Sequence, residues 1–452
     1  MPEVIILLTA LAVLTYDFVK IIPGRRVLFF FSLAGLALAG AAAFSLLGLR
    51  EIGSASFFSK FYIVDPFGLF FKALFIFVGV MVLLVNYDFF SAQVKRNEGE
   101  FYFLFLSSLL GLAITVSSPN LLLIYLGMEL VSFASYLLVG WQKTVKRSNE
   151  AALKYFLFGA VASAVFLYGV SLFYGMTGTL DLTSAANLDP ALPLTFLSLL
   201  FVILGFGFKI AMVPMQFWCP DVYEGAPTPI TAYLSVGPKA MGLAVLLRFL
   251  AFLRLDLALF FAVFSALTMT WGNLVALRQK NIKRLLAYSS IAQAGYIMVG
   301  LVSFKLGFPA VIFYLVVYTL ANLGAFSIVI YLSGLLDSEE IENYSGLARR
   351  SPLMALAFSL FFLSLIGIPP LAGFIGKFLV FRAAVGTGYL WLAALAVLNS
   401  VVSVYYYLNV VRVMYFQPGE ETPVKIPAFI SLVLWFCLLG TLLLGIFPNL
   451  IY

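Results

Sequence analysis

The chain has 452 residues, of which 63% are hydrophobic and only 10% charged, with a mean hydropathy of +1.07. Soluble globular domains carry roughly 45–50% apolar and about 25% charged residues, so a water-soluble fold is excluded and lipid is the expected solvent. The net charge of +7 comes from 27 basic and 20 acidic residues scattered along the chain, which fits membrane topology better than nucleic-acid binding.

Backbone polar groups in hydrocarbon must be satisfied internally, leaving helices or a closed barrel. Apolar runs long enough for a core about 30 Å thick recur from end to end, whereas barrel strands would alternate over about 10 residues. The expected fold is therefore all-α, a polytopic membrane protein. Fourteen spans are expected at about 3–20, 27–49, 66–87, 100–117, 119–141, 149–174, 193–216, 229–251, 255–278, 282–303, 306–334, 352–384, 387–416 and 426–449. The opening MPEV carries an acid where a cleaved signal peptide carries basic residues, so the first run is expected to be a retained span.

Loops and span ends following odd-numbered spans hold 16 basic residues, from Lys20 and Arg25 to Arg412 and Lys425. Those following even-numbered spans hold 6: Arg50, Lys60, Arg248, Arg254, Lys305 and Arg382. Both termini are then expected on the non-cytoplasmic side.

A repeat is visible as well. YLLVG at Tyr136–Gly140 and YIMVG at Tyr296–Gly300 are separated by 296 − 136 = 160 residues. The same offset carries Pro214 in span seven to 374, beside Pro369 and Pro370 in span twelve. Five spans per unit is an odd number, so the two units would be inverted, and matched helix breaks are the sequence pointer to a transport site.

Chemistry is limited by what is missing. The chain has no histidine, and its two cysteines, Cys219 and Cys437, are far apart, so neither a metal site nor a disulfide framework is expected. Five basic residues lie inside spans: Lys72, Lys154, Lys209, Lys239 and Lys377. Among the acids only Glu129 sits near a span's middle, about ten residues or roughly 15 Å in. A charge at a helix centre costs about 2.5–3.5 kcal/mol on insertion scales, so such residues persist where they have partners or face water. Lys209 precedes Pro214, Lys239 follows Pro238, and Lys377 follows the Pro369–Pro370 break by two turns. Lys72 and Lys154 are close enough to span ends to snorkel. Burial disfavours a charged lysine and a nearby carboxylate favours it. A Glu129 that approaches and leaves Lys209 would therefore gate a proton relay through Lys239 to Lys377, with Ser289, Ser290, Tyr296 and Ser403 as candidate hydroxyls.

Two motifs are set aside. GFIGK lacks the first glycine and the Ser/Thr of a phosphate-binding loop, Leu371 and Phe378 standing there instead. CPDVYEGAPTP (Cys219–Pro229) has two acids but no accompanying nucleophile or metal ligand, and is expected to be a rigid cytoplasmic connector.

The run FKIAMVPMQFWCPDVYEGAPTPITAYLSVGPKA (Phe208–Ala240) resembles the antiporter-like membrane subunits of respiratory complex I, NADH:quinone oxidoreductase. ELVSFASYLLVG, QKNIKRLLAYSSIAQAGY and PPLAGFIGKF resemble them too, in the same order. The DVYEGAPTP form, Lys377 and the absence of a long C-terminal lateral helix are similar to one branch of that family. Its closest sister branch carries glutamate at the span-twelve position.

The resemblance implies three N-terminal helices (1–98), a first repeat of helices four to eight (99–251), a second, inverted repeat of helices nine to thirteen (252–416) and a final helix (417–452), with helices seven and twelve broken. It implies proton translocation by Glu129, Lys209, Lys239 and Lys377, with Lys154 a further candidate. Many relatives have histidine where Gln216 stands, so no proton-carrying role is assigned there. As an enzyme the chain would be a translocase subunit without redox chemistry of its own. No cofactor is expected in the chain; NADH, FMN, iron–sulfur clusters and quinone belong to partner subunits. Expected partners are another antiporter-like subunit, small membrane subunits, lipids and protons, with no nucleic acid. The expected location is the bacterial cytoplasmic (inner) membrane. A homologous subunit of a multisubunit Na+/H+ antiporter or membrane-bound hydrogenase, and a structural scaffold, are the alternatives.

Overall fold

The apolar runs fold into helices. A computed structural model describes residues 2–19, 25–47, 61–93, 98–184, 192–253, 256–419 and 423–451. Lys20, Arg50, Lys60, Lys95, Arg96 and Arg254, which enter the topology count, lie outside these residues.

In chain order the helices are α1 (Pro2–Val19), α2 (Arg25–Leu47), α3 (Pro66–Gln93), α4 (Glu98–Val116), α5 (Leu121–Val139), α6 (Lys146–Thr177), α7 (Pro193–Ile210), α8 (Trp218–Gly225) and α9 (Thr228–Leu253). They continue with α10 (Ala258–Ala276), α11 (Ile282–Val299), α12 (Phe304–Leu336), the single turn α13 (Leu347–Arg350), α14 (Pro352–Ile366), α15 (Ala372–Gly386), α16 (Leu390–Phe416) and α17 (Ala428–Ile446). Among the described residues 13 helices are long and apolar enough to cross a membrane. The remaining expected span, the twelfth, is two half-length helices of 15 residues each, α14 and α15. The chain is a multi-pass, all-helical membrane protein.

The seventh span breaks earlier than its sequence indicates. α7 stops at Ile210, because Ala211 turns into the left-handed region at φ 58° and Pro214 cannot continue a helical ladder. The segment expected to be a connector is instead the buried helix α8, whose Trp218, Val222 and Tyr223 are sealed from solvent. Its Pro220 sits in the first turn, where the missing N–H has no helical partner to lose. Its acids are structural: Arg284 of α11 donates to Asp221 at 2.9 Å and to Glu224 at 2.7 Å.

The chain divides into two compact units. The first comprises Met1–Leu83, Gln93–Ile210 and Gly225–Asp256; the second comprises Leu84–Ala92, Ala211–Glu224 and Leu257–Tyr452. In the first, α4 packs on α5, α6 on α7, and α9 runs against α4, α5 and α7. In the second, α10 packs on α11, while α12 is held by α14, α15 and α17. The most buried of the described helices are α9, α11 and α12, at 89%, 94% and 89% over their most apolar windows, against 33% for α6, whose other face is left for lipid or a neighbour.

The units reuse the same local devices. Asn120 caps α5 by accepting from the amides of Leu122 and Leu123, and Asn281 caps α11 by accepting from Lys283 and Arg284. Each cap residue also forms an isolated antiparallel bridge, Asn120 with Asp181 and Asn281 with Glu340. The offset is 281 − 120 = 161, within one residue of the offset between the sequence repeats. Gly111 lets α4 close on α5, since a Cβ there would lie 2.8 Å from the Gly127 carbonyl. Gly272, 161 residues later, does the same for α10 against the α11 backbone at Ala292.

The end of α14 depends on Gly367, at φ 92° and 2.9 Å from Lys377 Cδ if it carried a Cβ. Gly367→Ala should lower stability by about 1–2 kcal/mol from left-handed strain. Gly334→Ala, on an open helical surface, should be neutral or stabilising. Thermal melting of the purified protein reads both; equal melting of Gly367→Ala and the native chain would contradict this account of the break.

Candidate functional site

Each broken span places a lysine at a helix end. The last four carbonyls of a helix lack intrahelical partners, and the end carries a partial negative charge of about half an electron. Lys209 lies in the last turn of α7. Its side chain is buried, and its Nζ donates to Ser132 Oγ on α5 at 2.5 Å. Ser132 Oγ in turn donates a hydrogen bond to the Met128 carbonyl at 2.6 Å.

Glu129 lies one turn before Ser132 and accepts from Ser163 Oγ of α6 at 2.5 Å. Glu129 and Lys209 make no direct ion pair among the described residues. They line one cavity together with Tyr125, Met128, Ala162, Ser163, Phe166, Gly205 and Phe208. The space open to water in it is ≈ 10 Å³, roughly what one water molecule requires.

Lys239 follows Pro238 in the buried helix α9. The stem of Lys209 packs against this helix: a Cβ on Gly242 would lie 3.2 Å from Lys209 Cβ. Gly242 is three residues beyond Lys239 and so shares its helix face. The first unit thus gathers Glu129, Ser132, Ser163, Lys209 and Lys239 around the end of α7.

Lys377 is the corresponding group of the second unit. Its Nζ donates to the carbonyl of Ile366, the last residue of α14, at 2.9 Å and to Ser400 Oγ of α16 at 3.1 Å. It stands 4.1 Å from the centroid of the Tyr296 ring. The break at Gly367–Pro370 exposes the oxygen that the ammonium needs. Tyr296 accepts from Asn273 at 2.9 Å, Asn273 also donates to Asn399 at 3.2 Å, and Tyr406 donates to Asn273 at 3.0 Å. Gln293 donates to the Leu365 carbonyl at 2.8 Å and accepts from Tyr314 at 2.5 Å. Buried polar groups joined this way satisfy each other in a medium that offers few alternatives.

Of the candidate hydroxyls, Ser289 meets Tyr407, and Ser290 lies 2.7 Å from Tyr318 Oη. Ser403 donates to the Ser400 carbonyl of its own helix at 2.6 Å. Lys154 is half-exposed on α6 and paired with Glu150 at 2.8 Å. Lys72 does not snorkel: it is buried against Glu3 at 2.7 Å. Asn273, Asn399, Gln293 and Ser400 were not singled out by sequence, although an amide inside an apolar span signals a partner on another helix.

Two broken spans with a buried lysine at each, in a multi-pass helical protein, define the architecture of an ion-translocating membrane subunit. Residues 118–403 match the family model described as NADH:quinone oxidoreductase/Mrp antiporter, TM. The NADH-quinone oxidoreductase subunit N 2 of Symbiobacterium thermophilum is 42% identical, over 99% of this chain and 94% of the relative. A chain of respiratory complex I from Thermus thermophilus superposes with a TM-score of 0.85 at 36% identity, covering 100% of this chain and 98% of that one. A chain of the membrane-bound sulfane sulfur reductase, an archaeal respiratory membrane complex, has a TM-score of 0.88 at 26% identity, covering 99% and 94%. The chain belongs to the NADH:quinone oxidoreductase/Mrp antiporter transmembrane family.

Ser163→Ala should remove a hydrogen bond to a carboxylate, a contact of about 1.5–3 kcal/mol. Infrared difference spectra against the native protein should show a shifted carboxyl band that vanishes in a Glu129→Gln background. An unchanged spectrum would contradict the Ser163–Glu129 contact.

Proposed function

We propose that the chain is the N-type, proton-translocating membrane subunit of a respiratory NADH:quinone oxidoreductase. On this reading its partners are another antiporter-like subunit and small membrane subunits. NADH, FMN, iron–sulfur clusters and quinone are held by other subunits, whose quinone reduction drives the cycle. The protein lies in the bacterial cytoplasmic membrane with both termini on the non-cytoplasmic side, in keeping with the distribution of basic residues.

The observation that carries the reading is the separation of Glu129 and Lys209 by a water-sized cavity, with a serine attached to each. A lysine side chain has four rotatable bonds, so its Nζ can swing between the carboxylate and Ser132. Near Glu129 the ammonium is stabilised by opposite charge. Turned toward Ser132 and the α9 face that bears Lys239, it loses that partner and can yield its proton. Lys239 accepts it within the first unit, and Lys377, backed by Ser400 and Tyr296, is the proton-holding lysine of the second. Lys154, beside Glu150 on the outer face of α6, is suited to the edge of such a relay, next to a neighbouring subunit.

The test is Lys209→Met in the reconstituted complex. Loss of a positioned proton-transfer group slows the step it serves by about 10²–10⁴-fold. Protons pumped per NADH should therefore fall by this subunit's whole share, with the complex still assembled. Native pumping per NADH in an assembled Lys209→Met complex would overturn the reading.

A further inference from the structure

Two amides divide the polar network of the second unit. On one side stand Lys377, Ser400 and Tyr296: the lysine donates to Ser400, which also meets the Tyr296 hydroxyl. On the other stand Tyr406, Tyr407 and Ser289, joined hydroxyl to hydroxyl. Tyr407 lies 407 − 400 = 7 residues beyond Ser400 on α16, about 10 Å along the helix. In the orientation proposed above that is toward the cytoplasm. Among the described residues no hydroxyl of the first group bonds a hydroxyl of the second. They meet only through Asn273 of α10, which is sealed from solvent.

The direction of the bonds through Asn273 is set from a backbone carbonyl outward. The Leu395 carbonyl can only accept, so the Asn399 atom facing it at 3.0 Å is the amide nitrogen, and Asn399 Oδ1 faces Asn273. Asn273 must then present Nδ2 to Asn399 at 3.2 Å and to Tyr296 at 2.9 Å. Its Oδ1 is left to accept from Tyr406 at 3.0 Å. Gln293 forms a second seam. Its Nε2 is fixed in the same way by the Leu365 carbonyl at 2.8 Å, and its other side-chain partners are Tyr314 and Tyr407, on the far side from Lys377's hydroxyls.

A hydroxyl that takes one proton and releases another is a hydroxyl again. An amide is not restored in this way. If Tyr406 gave a proton to Asn273 Oδ1 while Nδ2 gave one to Tyr296, an O–H bond would form and an N–H bond would break, leaving an imidic acid. A second proton could follow only after that high-energy form had reverted. The corresponding place in the first unit, 273 − 112 = 161 residues earlier, holds Leu112, which carries no proton either.

We propose that Asn273, seconded by Gln293, insulates Lys377. It interrupts the line of hydroxyls on the cytoplasmic side, so a proton reaches or leaves Lys377 there only when water bridges past the amides. The relay to Lys377 is thereby conditional instead of permanently open, and a proton already held there does not run back. This rests on the translocation reading above.

The test measures passive proton entry into vesicles holding the assembled complex, driven by a potassium diffusion potential without NADH. Asn273→Asp puts a carboxyl proton carrier at the seam; Asn273→Ser, which buries no charge, puts a hydroxyl there with room for a water. Asn273→Leu removes the same amide and supplies no carrier. Insulation predicts a several-fold faster leak in the two carrier variants and a native rate in Asn273→Leu. The leak should return to the native rate when Lys377→Met is added to either carrier variant. A native leak rate in the carrier variants overturns the proposal. So does a leak in Asn273→Leu, which marks loosened packing, or a leak that survives Lys377→Met, which runs elsewhere. Pumping per NADH by Lys209→Met is scored beside them. Impaired pumping there upholds the translocation reading whatever the leak shows; native pumping overturns that reading and this proposal with it.

Discussion

An ammonium group inside hydrocarbon needs oxygen atoms around it, and a regular helix offers none because its carbonyls are already committed. The two broken spans answer this need. Where α14 stops at Ile366, a carbonyl that would have served the next turn accepts from Lys377. Where α7 stops at Ile210, Lys209 occupies the negative end of its own helix and finds Ser132 across on α5. Insertion of a mid-membrane lysine costs about 2.5–3.5 kcal/mol, and a hydrogen bond to a charged group contributes about 1.5–3 kcal/mol. Helix-end charge adds about 0.3–1 kcal/mol, so the two effects together roughly balance the cost. That near balance fits the proposed relay, in which a lysine held too firmly could not give up its proton.

The rest of the fold positions these ends. The glycines at 111 and 272 bring α4 onto α5 and α10 onto α11. The asparagine caps at 120 and 281 fix where α5 and α11 begin, and hence the height at which Glu129 and Tyr296 sit. The interior helices α9 and α11 carry Lys239 and Tyr296, away from the faces that meet lipid. At the breaks, buried polar side chains and freed carbonyls satisfy one another, as a medium without free hydrogen-bonding partners demands.

Much of this was legible in the sequence, for a simple reason. In lipid, hydropathy reports the helices directly, and a charged residue is rare enough that each one signals a site. The two breaks were marked by prolines at 214 and 369–370. The depth of the first break was not, because a left-handed alanine at 211 has no signature in composition, and so α8 read as a connector. The distance of Lys72 from a span end says nothing of a partner far away in sequence; Glu3 is 69 residues earlier (72 − 3 = 69). Sequence position alone groups Arg248 with the topology-setting basic residues, yet it lies buried within α9 against Asp65. The amides of Asn273, Asn399 and Gln293 carry a weaker sequence signal because uncharged polar groups stand out less in an apolar run. Contacts between remote segments were what the sequence withheld.

The most direct test of the account is a map of the assembled complex by electron cryo-microscopy, at a resolution where ordered water is visible. Water is expected between Lys209 and Glu129, and the Lys377 ammonium within hydrogen-bond distance of the Ile366 carbonyl. A dry cavity, with Lys377 turned away from the end of α14 and no oxygen atoms around it, would contradict the claim that helix ends hold these lysines ready to exchange protons.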